Sequence, residues 1–597
     1  MTTKHTPAVS FDDIPGELTT GKIPEGADYE QITRATVQWL NNLQKDHLAP
    51  NAIWRDFLSL TDNFRTFYSS DVVYDTFQKL GNVKKRSIFE TGSIPTRLVS
   101  SGEASWLNVN LAFTIEDQNL VGNCNAFASV TQDADGKWKI WMLRTWLENY
   151  EDHGHPDLLE PVPSSRYINR QANSGAQDPR HVYDVIIVGG GQSGLGAAGR
   201  CKALGIDYIL FDDRPAIGDS WANRYDSLKW HTTKDYGNLP FGRTFKEEDP
   251  LLLPIERIAS GYRTWAERFD LNVRNSEPVD HADWDDASSL WTAYTGALGD
   301  QAEYKARNLV LCMGPGHKRE IVPTWAERGN VKSSGFKGTV QHSVGYKNCK
   351  GFEGKRGVVV GTANSAHDVA EDMARAEMDV TMLQRSPTFI EPGKWLEKAN
   401  TANYHLGKPT EEADREQLTA PQKISRELIN RGTWKAIDQD PTLWDDLEKA
   451  GFKCDRYGDL FTHLYVRFGG HYVDVGNCKR IIEGQVKIKG VAVKCLTEHG
   501  ILFEDGSHLS ADLVVCCTGF NHDFRKDAAE IVGNEIAEQM DDYWGVNKEG
   551  ELRGFCRLAG HPHLFYHGGE ARLARFYSRF LALQLQKLKL GRALIPY

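Results

Sequence analysis

The sequence predicts an α/β protein: two strand–glycine turn–helix units of the dinucleotide-binding type, preceded by an α+β segment. Three observations carry that reading. A short apolar run, Val182–Val188, breaks abruptly into Gly189-Gly190-Gly191-Gln192-Ser193-Gly194. A second run, Gly357–Val360, breaks into Gly361-Thr362-Ala363-Asn364-Ser365. The first 150 residues instead pass from helical spacing to alternating strands. Composition agrees, because 597 residues with 40% hydrophobic and 25% charged side chains suffice for several buried cores, and two to four domains are expected.

Charge and cysteine usage narrow the class. With 70 basic against 81 acidic residues the net charge is −11, which argues against a general nucleic-acid or anionic-membrane surface. The ten cysteines are scattered, with no CxxC and no zinc spacing, so reduced thiols and a cytoplasmic location are expected. No apolar run reaches spanning length, and Met1–Asp13 lacks the basic and apolar regions of a signal peptide.

In chain order, residues 28 to 80 carry aromatic patterns at helical spacing: Trp39, Leu40 and Leu43, then Trp54, Phe57 and Leu58, then Phe64, Phe67 and Tyr68. Strands are predicted at 106–113, 121–130 and 138–143, the last two joined by an Asp135-Gly136 turn. Residues 1–150 resemble the NTF2-like (SnoaL-type) cone, on pattern alone. The resemblance implies an accessory or dimerisation domain and a homodimer. His153 and His155 form a metal pair or lie in a solvated loop, and 151–180 reads as a linker.

In the first unit Gly189 allows the tight turn, Gly191 the close approach of a pyrophosphate, and Gly194 the packing of helix on sheet. Gly190, Gln192 and Ser193 complete a loop whose helix N-terminus favours negative charge. Asp212 ends the next strand at the spacing of a ribose-binding carboxylate. The block that follows, Gly218-Asp219-Ser220-Trp221 through Tyr225-Asp226-Ser227-Leu228-Lys229-Trp230-His231, resembles flavin-containing monooxygenases, its second half being closest to the plant YUCCA-type. The resemblance implies that Ser220 and Trp221 lie along a flavin and that His231 stands beside its reacting edge.

Phe336, Gly338, His342 and Tyr346 then fill F-x-G-x-x-x-H-x-x-x-[YF], the fingerprint of that family, in register. Baeyer–Villiger relatives close the motif with Trp, so Tyr346 favours the monooxygenases. Gly189 to Asp212 is 23 positions; 23 positions after Gly361 stands Gln384, followed by Arg385 and Ser386. A carboxylate there would repel a 2′-phosphate and an arginine would bind it, so the second unit should prefer NADPH to NADH. Residues 390–470 are an insertion, a lid or a surface excursion. Thr518-Gly519, after the strand 513–517, and Gly569, before an amphipathic helix through Phe580 to Leu590, resemble further flavin-site elements of the family; adjacent Cys516 and Cys517 are packing thiols.

The expected division is 1–150 accessory domain, 151–180 linker, 181–345 first part of the FAD domain, 346–470 NADP domain with insertion, and 471–597 return to the FAD domain. The resemblance implies FAD and NADPH as cofactors, O2 and a small molecule as substrates, and oxygenation at N or S through a flavin C4a-(hydro)peroxide. The alternative is Baeyer–Villiger or oxidative decarboxylation chemistry on a ketone or 2-keto acid. An NADPH-dependent flavin reductase or oxidase stands behind both.

Overall fold

The computed structural model describes residues 8–102, 104–163, 180–296, 301–314 and 319–597. Most of the expected linker, and Pro315 and Gly316 of the turn after residue 311, lie outside them.

The N-terminal part builds one seven-stranded sheet. Helix α1 (Tyr29–Asn41) starts on the Asp28 side chain, which accepts the Gln31 N–H, and is followed by strand β1 (Leu48–Phe57), strand β2 (Phe64–Tyr68) and helix α2 (Ser70–Val83). Three long antiparallel strands follow: β3 (Ala104–Asp117), β4 (Leu120–Gln132) and β5 (Trp138–Tyr150), with β1 parallel to β5. The aromatic groups at 54–58 and 64–68 are therefore strand residues, not the helices their spacing suggests. Every residue from Ala52 to Phe57 is buried, so this part of the strand is covered on both faces and shows no period-two alternation. Trp54 stacks on Phe67 at 4.9 Å on one side, and Phe57 stacks on Phe580 at 5.2 Å on the other.

The first glycine unit is β6 (Val182–Val188), α3 (Gln192–Ala203) and β7 (Tyr208–Phe211), followed by β8 (Lys229–Thr233) and β9 (Ala302–Leu311). Strand β6 lies between β7 and β9, parallel to both. The second unit is a five-stranded parallel sheet in the order β10 (Thr339–His342), β16, β11 (Arg356–Val360), β12 (Asp379–Leu383), β15, in which β15 is Val486–Lys489 and β16 is Leu513–Cys516. Helix α4 (Asn364–Arg375) follows β11. The short parallel pair β13 (Phe389–Pro392) and β14 (His471–Asp474) brackets the insertion, whose helices include α5 (Gly393–Asn403), α6 (Thr410–Leu418) and α7 (Gln422–Gln439).

Two expected boundaries move. The chain has already entered the second sheet at Thr339, before residue 346, and it does not return at 471: β15 and β16 still belong to the second sheet. The return comes with β17 (Leu564–Tyr566), which adds to β9 in parallel. The apolar run 513–516 looks the same as any buried strand, so sequence alone could not say which sheet it completes.

The last helix, α8 (Ala571–Lys589), is the amphipathic helix expected, and it is buried almost throughout from Ala571 to Lys587, its polar face included. Its polar residues are inside because each meets a partner. Arg575 pairs with Asp414 at 2.7 Å, Arg579 with Glu148 at 2.6 Å, and Lys587 with Asp62 and Asp117 at 2.7 Å. The insertion is likewise docked. Arg55 donates to the Leu418 and Ala420 carbonyls and pairs with buried Glu551, while Ile424 packs with Trp106 and Trp141. No described helix is long and apolar enough to cross a membrane.

Candidate functional site

Both glycine loops are shaped for a pyrophosphate. Gly189 has φ +107°, and a Cβ there would stand 2.4 Å from the Cys312 carbonyl oxygen; a Cβ on Gly194 would meet the Gly189 oxygen at 1.8 Å. Only glycine fits either place. Gly191, at the N-cap of α3, has open space where a side chain would be, which is the approach a phosphate needs. Gly361 repeats the geometry, with φ +116° and a would-be Cβ 2.5 Å from the Cys517 oxygen. Gly361 to Ser365 are all half-buried, open at the start of α4.

The first cradle is closed from three sides. Asp212 accepts the Gly190 N–H at 2.5 Å and the Arg214 N–H at 2.8 Å; burial raises its pKa above the usual carboxylate value despite these two donors. Gln192 Nε2 donates to the Gly569 oxygen at 3.2 Å, which brings the start of α8 to the loop. Ser220 and Trp221 form one short helix, Asp219–Ala222, with Trp221 edge-on to Trp230 at 5.7 Å. These residues fit a dinucleotide such as FAD.

The second cradle differs where the first has its carboxylate. Gln384 is buried, donating to the Lys453 oxygen at 2.8 Å and accepting the Lys453 N–H at 2.7 Å. Arg385 and Ser386 are exposed at the end of β12, where a guanidinium can meet a 2′-phosphate. Asn364 is less available than expected, because its Oδ1 accepts the Val473 N–H at 2.9 Å; Thr362 shares a hydrogen bond with Thr388 at 2.6 Å. Thr518 and Gly519 follow β16, so they stand beside this second loop and not beside Gly189; Thr518 donates to the Ile321 oxygen.

The fingerprint motif has a packing explanation. Gly338 is needed because a Cβ would lie 2.5 Å from the Asp512 oxygen where β10 joins β16. Phe336 packs into the apolar cluster beside that edge. His342 is buried with its ring 5.2 Å edge-on from Phe520, and burial lowers its pKa. Tyr346 is buried and donates to Asp372 on α4 at 2.5 Å. Gly338 and Phe336 thus seat the edge strand on β16 and its apolar cluster, and of the four Tyr346 alone reaches the helix of the second cradle.

His231 lies between the two units. Its Nε2 is 3.2 Å from Asp368 Oδ1 on α4, and Tyr225 donates to Asp368 Oδ2 at 2.7 Å. From the insertion, Asn400 on α5 donates to Thr232 Oγ1 at 3.2 Å. Nearby His367 stacks on Tyr472 at 3.6 Å, and burial pushes it, like His471, down to about 3. Asp368 was not singled out by sequence; the signal was there, four residues after Asn364 and so on the same face of the cradle helix.

Elsewhere, His155 comes within 4.8 Å of Glu148 and Asp157, a set that could ligate a cation. His153 is outside it. Both carboxylates are already held by arginines, Glu148 by Arg415 and Arg579 and Asp157 by Arg200 and Arg415, so the donor set does not fit a metal. The ten cysteines are free; Cys516 is buried and its thiol is pushed up to about 12, which leaves it a packing residue.

Residues 186–405 match the family model described as pyridine nucleotide-disulphide oxidoreductase. Probable indole-3-pyruvate monooxygenase YUCCA9 of Arabidopsis thaliana is 28% identical over 341 residues, 57% of this chain and 75% of that protein. Probable indole-3-pyruvate monooxygenase YUCCA7 of the same plant is 30% identical over 346 residues, 57% of this chain and 74% of its own length. Flavin-containing monooxygenase 5 of Homo sapiens is 27% identical over 380 residues, 59% and 65% of the two chains. With two cradles of one geometry and a relative of this identity and coverage, the chain belongs to the flavin monooxygenase family.

Proposed function

We propose that the chain is an NADPH- and O2-dependent FAD monooxygenase that oxygenates a small organic substrate at nitrogen or sulfur. The observation that carries this is the paired cradles, with a carboxylate at the end of the second strand in one and an arginine in the other. When bound, FAD supplies the ring that takes hydride from NADPH and activates O2. The chain's own share is placement. The start of α3 and Gly189–Gly194 hold the FAD pyrophosphate, Asp212 the ribose, Gly361–Ser365 the NADP pyrophosphate and Arg385 with Ser386 the 2′-phosphate. His231 would offer a hydrogen bond to the bound flavin, and α5, through Asn400 on Thr232, would cover the strand that carries it.

The test is turnover under 18O2 with a thioether or tertiary amine. One 18O in the product, consumed one for one with NADPH, supports the reading; all O2 recovered as hydrogen peroxide would make the protein an oxidase or reductase. Arg385→Ala should raise KM for NADPH about 10- to 100-fold, the range for a lost charge-assisted hydrogen bond, with KM for NADH unchanged.

The names of YUCCA9 and YUCCA7 favour a second reading, oxidative decarboxylation of a 2-keto acid, with Baeyer–Villiger oxidation of a ketone beside it. Release of CO2 from a 2-keto acid in step with NADPH oxidation would replace the first reading with this one. We further read residues 1–150 as an NTF2-like unit, supported by one seven-stranded, largely antiparallel sheet carrying two helices, and we propose that the protein is a cytoplasmic homodimer. The division is then 1–150, a FAD unit of 181–338 completed by 524–597, and an NADP unit of 339–523 carrying the insertion. Light scattering tests the dimer.

A further inference from the structure

His231 belongs to the first dinucleotide unit, but the carboxylate that holds it belongs to the second. Asp368 is buried, its side chain 5% exposed, and both of its oxygens are used: Oδ1 by His231 Nε2 and Oδ2 by the Tyr225 hydroxyl. The two donors are six residues apart in the block Tyr225–His231, so one carboxylate clamps that block at both ends. Asp368 also sits about one turn inside α4, whose first residues form the second cradle. The helix that would carry the NADP pyrophosphate on its N-terminus thus carries the histidine's partner on its next turn.

The surroundings leave this carboxylate as the charge in direct contact with the ring. From α4 come Asp368 and neutral His367; from β14 come neutral His471 and the Tyr472 ring, 6.5 Å away. On its own strand Lys229 is exposed, and the paired strand Leu252–Pro254 brings no ionisable group. Helix α5 brings Asn400 to Thr232. His231 Nδ1 has no hydrogen-bond partner among the described residues, and the side chain is 15% exposed.

We propose that Asp368 is a positioning residue: it fixes His231 as the Nε2–H tautomer, leaving Nδ1 to the reacting groups, and makes that orientation depend on the second unit closing on the first. The proposal rests on the flavin monooxygenase reading given above. A carboxylate can only accept, so it selects the tautomer with hydrogen on Nε2; an asparagine can donate as well and removes that selection.

The experiment combines a spectroscopic and a coupling measurement on the FAD-loaded full chain. In protein labelled with [15N]histidine, the signal lost in His231→Asn should show Nε2 protonated and Nδ1 unprotonated, and Asp368→Asn should mix or invert the two. In turnover, Asp368→Asn should lower the fraction of NADPH recovered as oxygenated product about tenfold, with hydrogen peroxide making up the difference, the scale of one lost hydrogen bond to a charged group. Added to His231→Asn it should change nothing further, and Asp368→Glu should recover part of the coupling. An unchanged His231 signal in Asp368→Asn, or additive effects of the two substitutions, would overturn the proposal. Should Asp368→Asn lose its flavin, Tyr225→Phe gives the same comparison, expected in the same direction and smaller; no change in its signal and coupling counts against the clamp. Failure of the wild type to place 18O in any product overturns the monooxygenase reading instead, and the histidine signal still decides the role of Asp368.

Discussion

Glu391 and Glu148 show how burial alone and burial with a partner send the same side chain in opposite directions. Glu391, in β13, is 7% exposed with no hydrogen bond to its carboxyl group among the described residues, and burial pushes its pKa up to about 7. Glu148 is also buried, which on its own would raise it, yet Arg415 and Arg579 bring it down to about 2. The stability consequences have opposite signs. The folded protein keeps a proton on Glu391 that the unfolded chain gives up from pH 4.5, so this residue's contribution falls as pH rises from about 4.5 to 7 and stays low above, by roughly 3 kcal/mol. Glu148 contributes stability above pH 4.5 that is lost as pH falls towards about 2. Glu391→Gln should therefore melt close to wild type at pH 4.5 and above it at pH 8; parallel melting curves across that range would refute the assignment. Neither behaviour was visible in sequence, because Glu391 stands beside a proline and a glycine in what reads as a surface turn. Gly189, Gly194 and Gly361 were legible for the converse reason: their roles depend on the absence of a side chain, which sequence states directly.

At the scale of elements, α8 is held by charge as much as by apolar packing. Arg575 is fully buried, donating to Asp414 through two nitrogens at 2.7 Å and to the Tyr236 carbonyl at 2.8 Å. Breaking such a pair strands a buried charge, at about 3–5 kcal/mol, whereas replacing both partners by apolar groups is often near neutral. Arg575→Met should lower the melting temperature of the FAD-loaded protein by several degrees, and Arg575→Met with Asp414→Leu should recover most of the loss. Equal losses in the single and double variants would show that the pair is not what holds the helix to α6. The two βαβ units were legible because strand, glycine turn and helix follow one another within thirty residues. The pairing of α8 with α6 was not, because Arg575 and Asp414 are 161 positions apart and each looks like an ordinary surface charge of a helix. The strands at 48–57 and 64–68 failed for a related reason: burial on both faces erased the alternation by which a strand is recognised.

For the whole molecule, the N-terminal sheet is part of the oxidoreductase body. Arg55 ties it to Glu551 and to the end of α6, Arg415 and Arg579 converge on Glu148 of β5, and Phe57 and Phe64 pack on Phe576, Tyr577 and Phe580. Removal of residues 1–150 should then yield protein without bound flavin, or insoluble protein; a truncated chain that retains FAD at full occupancy would show the sheet to be a detachable passenger. The milder Arg55→Ala, which leaves Glu551 buried without its partner, should release flavin at a lower temperature than wild type, measured by flavin fluorescence on heating.

The burial of α8 against both the first sheet and the first glycine unit also sets a timetable. Residues 571–589 are made about 420 residues after β5 ends. At synthesis rates of roughly 5–20 residues per second, the ribosome needs about 20–80 s to supply the wall that covers Phe57 and Phe64. Throughout that interval the newborn chain carries an aromatic sheet face with nothing on it, so yield in cells should depend on chaperones that hold nascent chains far more than the finished protein's stability would suggest.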